Sequence, residues 1–219
     1  MIGLDSDTTT LTRIIANPAH HRVRQDLRDA DSMHKTVTNI VCPSGFGPNA
    51  RQAAALLYRV EETAAGVQIL VQAKLPMDPA RLPNGYAHGG SRNLEAHLTR
   101  LTDGVAVRYR IVANPTKSEF TRGRRGVVRG LAGDEALEWW QRRATQAGLE
   151  LTTAHITASG VHRGGRQSGS GNRKITAVRS RFEGQAIVRA PEGLRAAILG
   201  GIGRAKSYGC GLLSVAVLE

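Results

Sequence analysis

The stretch TTTLTRIIA, residues 8–16, is short and β-branched, and it predicts a strand that Asn17-Pro18 brings to an end. AHHRVRQDLRDA follows as a polar helix, with Val23 and Leu27 four positions apart on its buried side. MHKTVTNIV predicts a second helix, capped by Asp31 or Ser32 and stopped by Pro43. AALLYRVEE and GVQILVQAK then read as two strands joined by a tight turn around Ala64-Ala65-Gly66, which completes a β-α-β-β unit. From Leu75 to about Gly104 the periodicity lapses. Pro76, Pro79, Pro83, Gly85, Gly89 and Gly90 predict an irregular connection, followed by a short helix near LEAHLTRL. The pattern restarts with the alternating strand VAVRYRIVA, and NPTKSEFTRGRRGVVRG follows as a basic loop. DEALEWWQRRATQAG is a helix with Asp134 near its start and Gly148 as its stop. LELTTAHITASG and ITAVRSRFEGQAIVRA are strands around the loop VHRGGRQSGSGNRK. PEGLRAAILGG is a helix opened by Pro191, and GLLSVAVLE is a final strand. The second half thus reads β-α-β-β-α-β. Residues 1–90 are expected to form an N-terminal domain and 91–104 a connection, with 105–219 as a C-terminal domain.

Composition sharpens this picture. Of 219 residues 41% are apolar, enough for a core. Thirty Lys and Arg stand against 18 Asp and Glu, a formal net charge of +12, and the pI is near 10.8. A surplus of that size points to a polyanionic partner. No run of about 18 apolar residues offers a membrane span. The N-terminal residues carry acid early and no long apolar stretch, unlike a secretory signal. Cys42 and Cys210 form no CxxC pair, which predicts free thiols in a reducing cytoplasm.

The basic charge is concentrated in glycine-laced segments. GGIGRAKSYGCG, residues 200–211, holds Gly201, Gly203, Arg204 and Lys206. It follows a helix and precedes a strand, the reverse of a P-loop, and neither Gly200 nor Gly201 has P-loop spacing to Lys206-Ser207. Its glycines suit either a turn that needs positive φ or a backbone cradle for an anion. TRGRRGVVRG holds Arg122, Arg124, Arg125 and Arg129. HRGGRQSGSGNRK holds Arg163, Arg166, Arg173 and Lys174. Three such segments in one half of the chain indicate nucleic acid, since arginine forks onto phosphates and glycine keeps the segments thin. With aromatics at only 4%, base stacking is a poor fit, and a duplex or hairpin held by its phosphates is a better one.

Histidines are scattered, with no metal-ligand spacing and no Gly-x-Ser-x-Gly elbow, so neither a metal site nor a cofactor is expected. Metal-free chemistry on RNA remains: the 2′-hydroxyl attacks the adjacent phosphorus while a histidine moves the proton. His34, with Lys35 beside it, meets that need. Alone, a helical histidine is most often a surface or core residue.

ANPTK at 113–117, LEWWQRRATQAGLEL, the terminal GIGRAKSYGCGLLSV and the opening NPAHHRVRQDLRDADSMHKTV together resemble the CasE family. These CRISPR-associated endoribonucleases process precursor crRNA in the type I-E Cascade complex. The resemblance implies an α+β fold of two tandem ferredoxin-like (RRM-like) domains. It implies metal-independent cleavage at the 3′ base of the repeat stem-loop, leaving a 5′-hydroxyl and a 2′,3′-cyclic or 3′ phosphate. The partners implied are the CRISPR repeat RNA hairpin and the other Cascade subunits, with no membrane. His34 matches the catalytic histidine and Lys35 the basic residue after it, and the glycine loop with Arg204 and Lys206 matches an RNA-contacting hallmark. The segment from Arg163 to Lys174 falls where the family has a hairpin that enters the stem's major groove. Asp31 stands where members often carry Tyr, and Asn39 where they often carry Lys, so Asp31 joins His34 and Lys35 in the candidate catalytic set. Lys35, Arg28 and His21 are left as candidates for the missing cation, and Arg28 and Lys117 complete the candidate RNA contacts. The alternative is a non-catalytic subunit that binds the same hairpin. A basic ribosome-associated protein is a third reading.

Overall fold

The structure, a computed structural model, describes residues 8–42, 49–63, 66–119, 127–168 and 171–219, with backbone alone over 161–168 and 171–177. Two compact units emerge. The first comprises Met1–Thr99, Gly164–Lys174 and Lys206–Gly209. The second comprises Arg100–Arg163, Ile175–Ala205 and Cys210–Glu219.

In the first unit β1 (Thr10–Ala16) leads to α1 (His21–Arg28), α2 (Ala30–Val41) and the single turn α3 (Ala50–Ala53). β2 (Leu57–Thr63), β3 (Gly66–Ala73), β4 (Ala87–Asn93) and α4 (Glu95–Leu98) follow. The antiparallel sheet has the order β2-β3-β1-β4. Ile14 pairs with Ile69 and Ala16 with Val67, and this face packs with Met33, Val37, Ile40 and Val41 of α2 in one core. Those α2 positions follow the helical repeat, which is why the sequence pattern found the helix.

Two expectations change here. The cap of α2 is Asp29, whose carboxylate accepts from the N–H groups of Asp31 and Ser32, so neither Asp31 nor Ser32 caps it and the helix begins at Ala30. Residues 87–93 form a strand rather than an irregular connection. β4 is an edge strand whose residues are mostly exposed, so it carries no apolar alternation. At Gly89 a Cβ would run into the Arg13 carbonyl across the pairing, which is why glycine serves there. Between β3 and β4 the chain makes only the 3₁₀ turn Pro79–Arg81, since closely spaced prolines exclude an α-helix.

In the second unit the order is β5 (Ala106–Ala113), β6 (Thr116–Glu119), β7 (Val127–Gly130), α5 (Gly133–Gln146), β8 (Leu149–Ser168), β9 (Gly171–Val188), α6 (Pro191–Gly200) and β10 (Leu213–Val217). The sheet runs β10-β5-β9-β8. Counting each unit's own sheet strands, both sheets have the order 4-1-3-2, the ferredoxin-like arrangement that the resemblance implies. Within this unit Trp140 of α5 is fully buried, stacked 5.6 Å from Phe182 and tilted against Tyr109 at 5.4 Å. Pro191 opens α6 as expected, and Gly148 ends α5 at φ 79 in close contact with Ala190.

Two stretches read as loops contain strands. β6 and β7 pair within the basic segment after Pro115. The arms of β8 and β9 extend through 161–168 and 171–174. β7 is mostly exposed, and the glycine-rich sequence of 161–174 has no apolar alternation, so the two-residue apolar rhythm that marks a half-buried strand is missing from both. Cys42 and Cys210 are buried free thiols, and burial pushes the Cys210 thiol up to about 12. No described helix is long and apolar enough to cross a membrane.

Truncating Phe182 to Ala removes the ring sandwiched against Trp140. The Phe182→Ala protein is expected to lose about 3–5 kcal/mol of stability, as measured by the urea unfolding of the second unit's tryptophan fluorescence.

Candidate active site

All the residues of this site belong to the first unit. Their frame is a buried carboxylate. Asp26 on α1 is 1% exposed and accepts from Ser32 Oγ of α2 at 2.6 Å and from Tyr86 Oη at 2.8 Å. Arg22 Nε lies 3.1 Å from the same carboxylate, and its Nη2 reaches Thr36 Oγ1 of α2 at 3.1 Å. Burial first, and then the bonded Asp26, holds the Tyr86 phenol well above its usual pKa, so it donates as a neutral hydroxyl. His20, the N-cap of α1, packs edge-on to the Tyr86 ring at 5.7 Å.

With α2 fixed, His34 is half-buried on its flank. Thr38 Oγ1, one turn on, lies 3.5 Å from His34 Nδ1. The Tyr208 ring sits edge-on to His34, 6.4 Å between centroids. Tyr208 belongs to the 3₁₀ turn Lys206–Tyr208, which is pinned by the Tyr58 hydroxyl donating to the Ser207 carbonyl at 3.0 Å. Gly209 closes that turn at φ 75, and a Cβ there would come within 3.2 Å of the Tyr58 ring. A cleft of about 250 Å³ opens beside His34, lined by Asp31, Asn49, Arg51, Gln52, Ser207 and Tyr208.

Lys35 does not share that cleft. Successive residues are about 100° apart on a helix, and Lys35 lines a second cleft of about 520 Å³ with His21, Arg22, Thr36, Asn39 and Arg81. Its ammonium is 2.8 Å from Asp31 Oδ2. The hydrogen bond to Asp31, then the carboxylate's charge, raises the Lys35 pKa. On the alkaline side the pair therefore persists through neutral pH and is lost there as pH climbs past that raised value. Lys35 is 71% exposed, so water screens the pair and its contribution to stability is small.

The other candidate residues are spread over the chain. Arg28 is exposed on the last turn of α1, and Lys117 is exposed on β6. Arg129 is engaged internally: its guanidinium meets both oxygens of Glu135 and one of Glu119, each at 2.9 Å. Those carboxylates raise its pKa. Arg122, Arg124 and Arg125 lie outside the described residues. The side chains of Arg163, Arg166, Arg173 and Lys174 also lie outside them, and their backbones belong to β8 and β9. In the second unit Gly201 turns the chain out of α6 at φ 71, and Gly203, at φ 81, packs against the Trp139 indole, with Arg204 exposed beside it. Gly201, Gly203, Gly209 and Gly211 all have positive φ, a backbone conformation that favours glycine. Among the described residues no three His, Cys, Asp or Glu side chains converge as a metal site. Arg51, Tyr208 and Ser207 are absent from the sequence expectations. Tyr208 carried a weak signal in its place within the glycine loop, and Arg51 carried none.

The sequence profile of the family described as "CRISPR associated protein" matches residues 10–216. The chain belongs to this family. It is 31% identical to the CRISPR-associated endoribonuclease Cse3 of Thermus thermophilus, over 94% of this chain and 99% of that protein. The structure of CRISPR endoribonuclease Cse3 bound to a 19-nucleotide RNA superposes with a TM-score of 0.80 at 27% identity, covering 95% of this chain and 99% of that one. A chain of a CRISPR RNA-guided surveillance complex in its pre-nicking state matches with a TM-score of 0.71 at 38% identity, covering 95% and 100%. The CasE-type resemblance is thus upheld.

The site's frame is testable in this Cse3-like chain. Tyr86→Phe leaves the buried Asp26 carboxylate one donor short and is expected to cost about 1.5–3 kcal/mol in chemical denaturation.

Proposed function

We propose that this chain is an endoribonuclease that processes precursor crRNA. It cuts the CRISPR repeat at the 3′ base of a stem-loop, keeps its product and joins other subunits in an RNA-guided complex. The observation that carries this reading is His34, half-buried beside a cleft with Arg51 and Tyr208, in a family member similar to an RNA-bound endoribonuclease.

The chemistry needs no metal. The 2′-oxygen attacks the adjacent phosphorus, the bond from phosphorus to O5′ breaks, and a 2′,3′-cyclic phosphate and a 5′-hydroxyl result. His34 takes the 2′ proton or supplies one to O5′; with Nδ1 facing Thr38, we assign the transfer to Nε2. An imidazole titrates near neutrality, which suits either direction. Asp31 lines the same cleft one turn back and carries Lys35, which brings a further cation to the helix. Lys117, Arg204, Lys206 and the basic segments around Arg122–Arg125 and Arg163–Lys174 serve the phosphates of the stem. Arg28 is a further candidate at the end of α1.

The test is incubation of the host's repeat RNA with the protein in EDTA. Wild type is expected to cut once, at the 3′ base of the stem, and mapped ends should carry the cyclic phosphate. His34→Ala is expected to lose about 10²–10⁴-fold in rate with hairpin affinity retained. A 2′-deoxy substitution at the cut site should abolish the reaction. Tight binding without a cut by wild type would make the chain a hairpin-binding subunit instead. Affinity should drop by at least about tenfold between 50 and 200 mM salt, measured by filter binding.

A further inference from the structure

In-line attack at phosphorus gathers negative charge on the nonbridging oxygens, and a fixed cation at that point supplies much of the acceleration. That cation must reach the cleft into which His34 faces. Lys35 and Asn39 both line the other cleft of α2, and the Lys35 ammonium is held by Asp31. Arg51 is the cation that lines the His34 cleft among the described residues.

Arg51 is placed for this work by its own short element. It sits in α3 and donates through Nη1 to the Leu56 carbonyl at 3.1 Å, which anchors one arm of a guanidinium that has five N–H donors. The planar fork matches two oxygens of one phosphate. Lys206, at the start of the turn that carries Tyr208, is also near: burial and then the Arg51 charge lower its pKa. Two cations that repel one another beside a histidine are relieved by a bound anion. The one carboxylate lining this cleft, Asp31, is already matched by Lys35.

We infer that Arg51 grips the nonbridging oxygens of the scissile phosphate and stabilises the phosphorane, with the Tyr208 ring holding the His34 imidazole edge-on to face it. The inference rests on the endoribonuclease reading above. It gives the reaction a cation from α3, on the side of α2 away from Lys35 and Asn39.

The experiment is single-turnover cleavage of the repeat hairpin at saturating full-length protein, with hairpin Kd and melting midpoint measured in parallel. Arg51→Gln is expected to slow cleavage by about 10²–10³-fold while Kd shifts by less than about fivefold. Arg51→Lys should recover part of the rate, and added methylguanidinium should recover part of it in Arg51→Ala. Neither rescue follows from mere loss of the Leu56 contact. Arg142→Gln, an exposed change of equal charge on α5, is the control and should cleave like wild type. Lys35→Gln should lose at least about tenfold less rate than Arg51→Gln. A wild-type rate in Arg51→Gln would overturn the inference and leave the endoribonuclease reading standing. So would a loss that neither Arg51→Lys nor guanidinium relieves. No cleavage by wild type, with the hairpin bound, would overturn both.

Discussion

An ionised carboxylate cannot be left buried without partners, and the candidate active site is organised around one that has them. Asp26 is 1% exposed and takes donors from three places: Arg22 on its own helix, Ser32 on the next, and Tyr86 ahead of β4. Removing one partner of such a group costs more than the contact is worth, because the remaining charge keeps its desolvation penalty. The carboxylate therefore locks α1, α2 and the entry to β4 into one arrangement. It also fixes the rotation of α2. Ser32 must face Asp26 while Met33, Val37 and Ile40 face the sheet, and His34 is then left on the flank beside Tyr208.

Three aspartates within RQDLRDADS show why a site can be visible in sequence and its wiring invisible. Asp26 is buried in the helix contact, Asp29 caps α2, and Asp31 pairs with Lys35. Each is chemically competent for the others' tasks. The choice is made by tertiary demands: once Ser32 is needed by Asp26, it cannot also cap, and the helix begins earlier, at Ala30. Asp31 then falls in the first turn, where a carboxylate is favoured by the helix dipole and lies one turn from Lys35.

Burial also decides which parts of the fold were legible. β1, β3, β5 and β10 and helices α2, α5 and α6 each bury a periodic face, so their apolar spacing announces them. The edge strand β4 and the long arms of β8 and β9 lack that spacing. Their stability comes from backbone pairing, which leaves no mark on side-chain choice. His34 and Lys35 were found as neighbours in sequence, yet on a helix adjacency separates: they line different clefts. Arg51 was not found at all. A four-residue helix has no periodic signal, and its approach to His34 is a property of the fold.

Charge needs the same distinction between what is counted and what is displayed. The chain's surplus of +12 suggests a broad attraction for phosphate. Several arginines are already committed inside the protein: Arg22 to Asp26, Arg59 to Glu61 in a buried pair at 2.8 Å, and Arg129 to Glu119 and Glu135. A cation held in this way has surrendered much of its field to its carboxylate, so it releases few counterions when a polyanion arrives. On the proposed reading, affinity comes from cations such as Arg28, Lys117 and Arg204, which stand exposed on separate elements. Salt screens exposed charges beyond about 10 Å. A half-buried cleft is screened less. On the proposed reading, the two jobs of holding an RNA and acting on it therefore fall to different cations, and the rate is assigned to Arg51, which lines the cleft of His34.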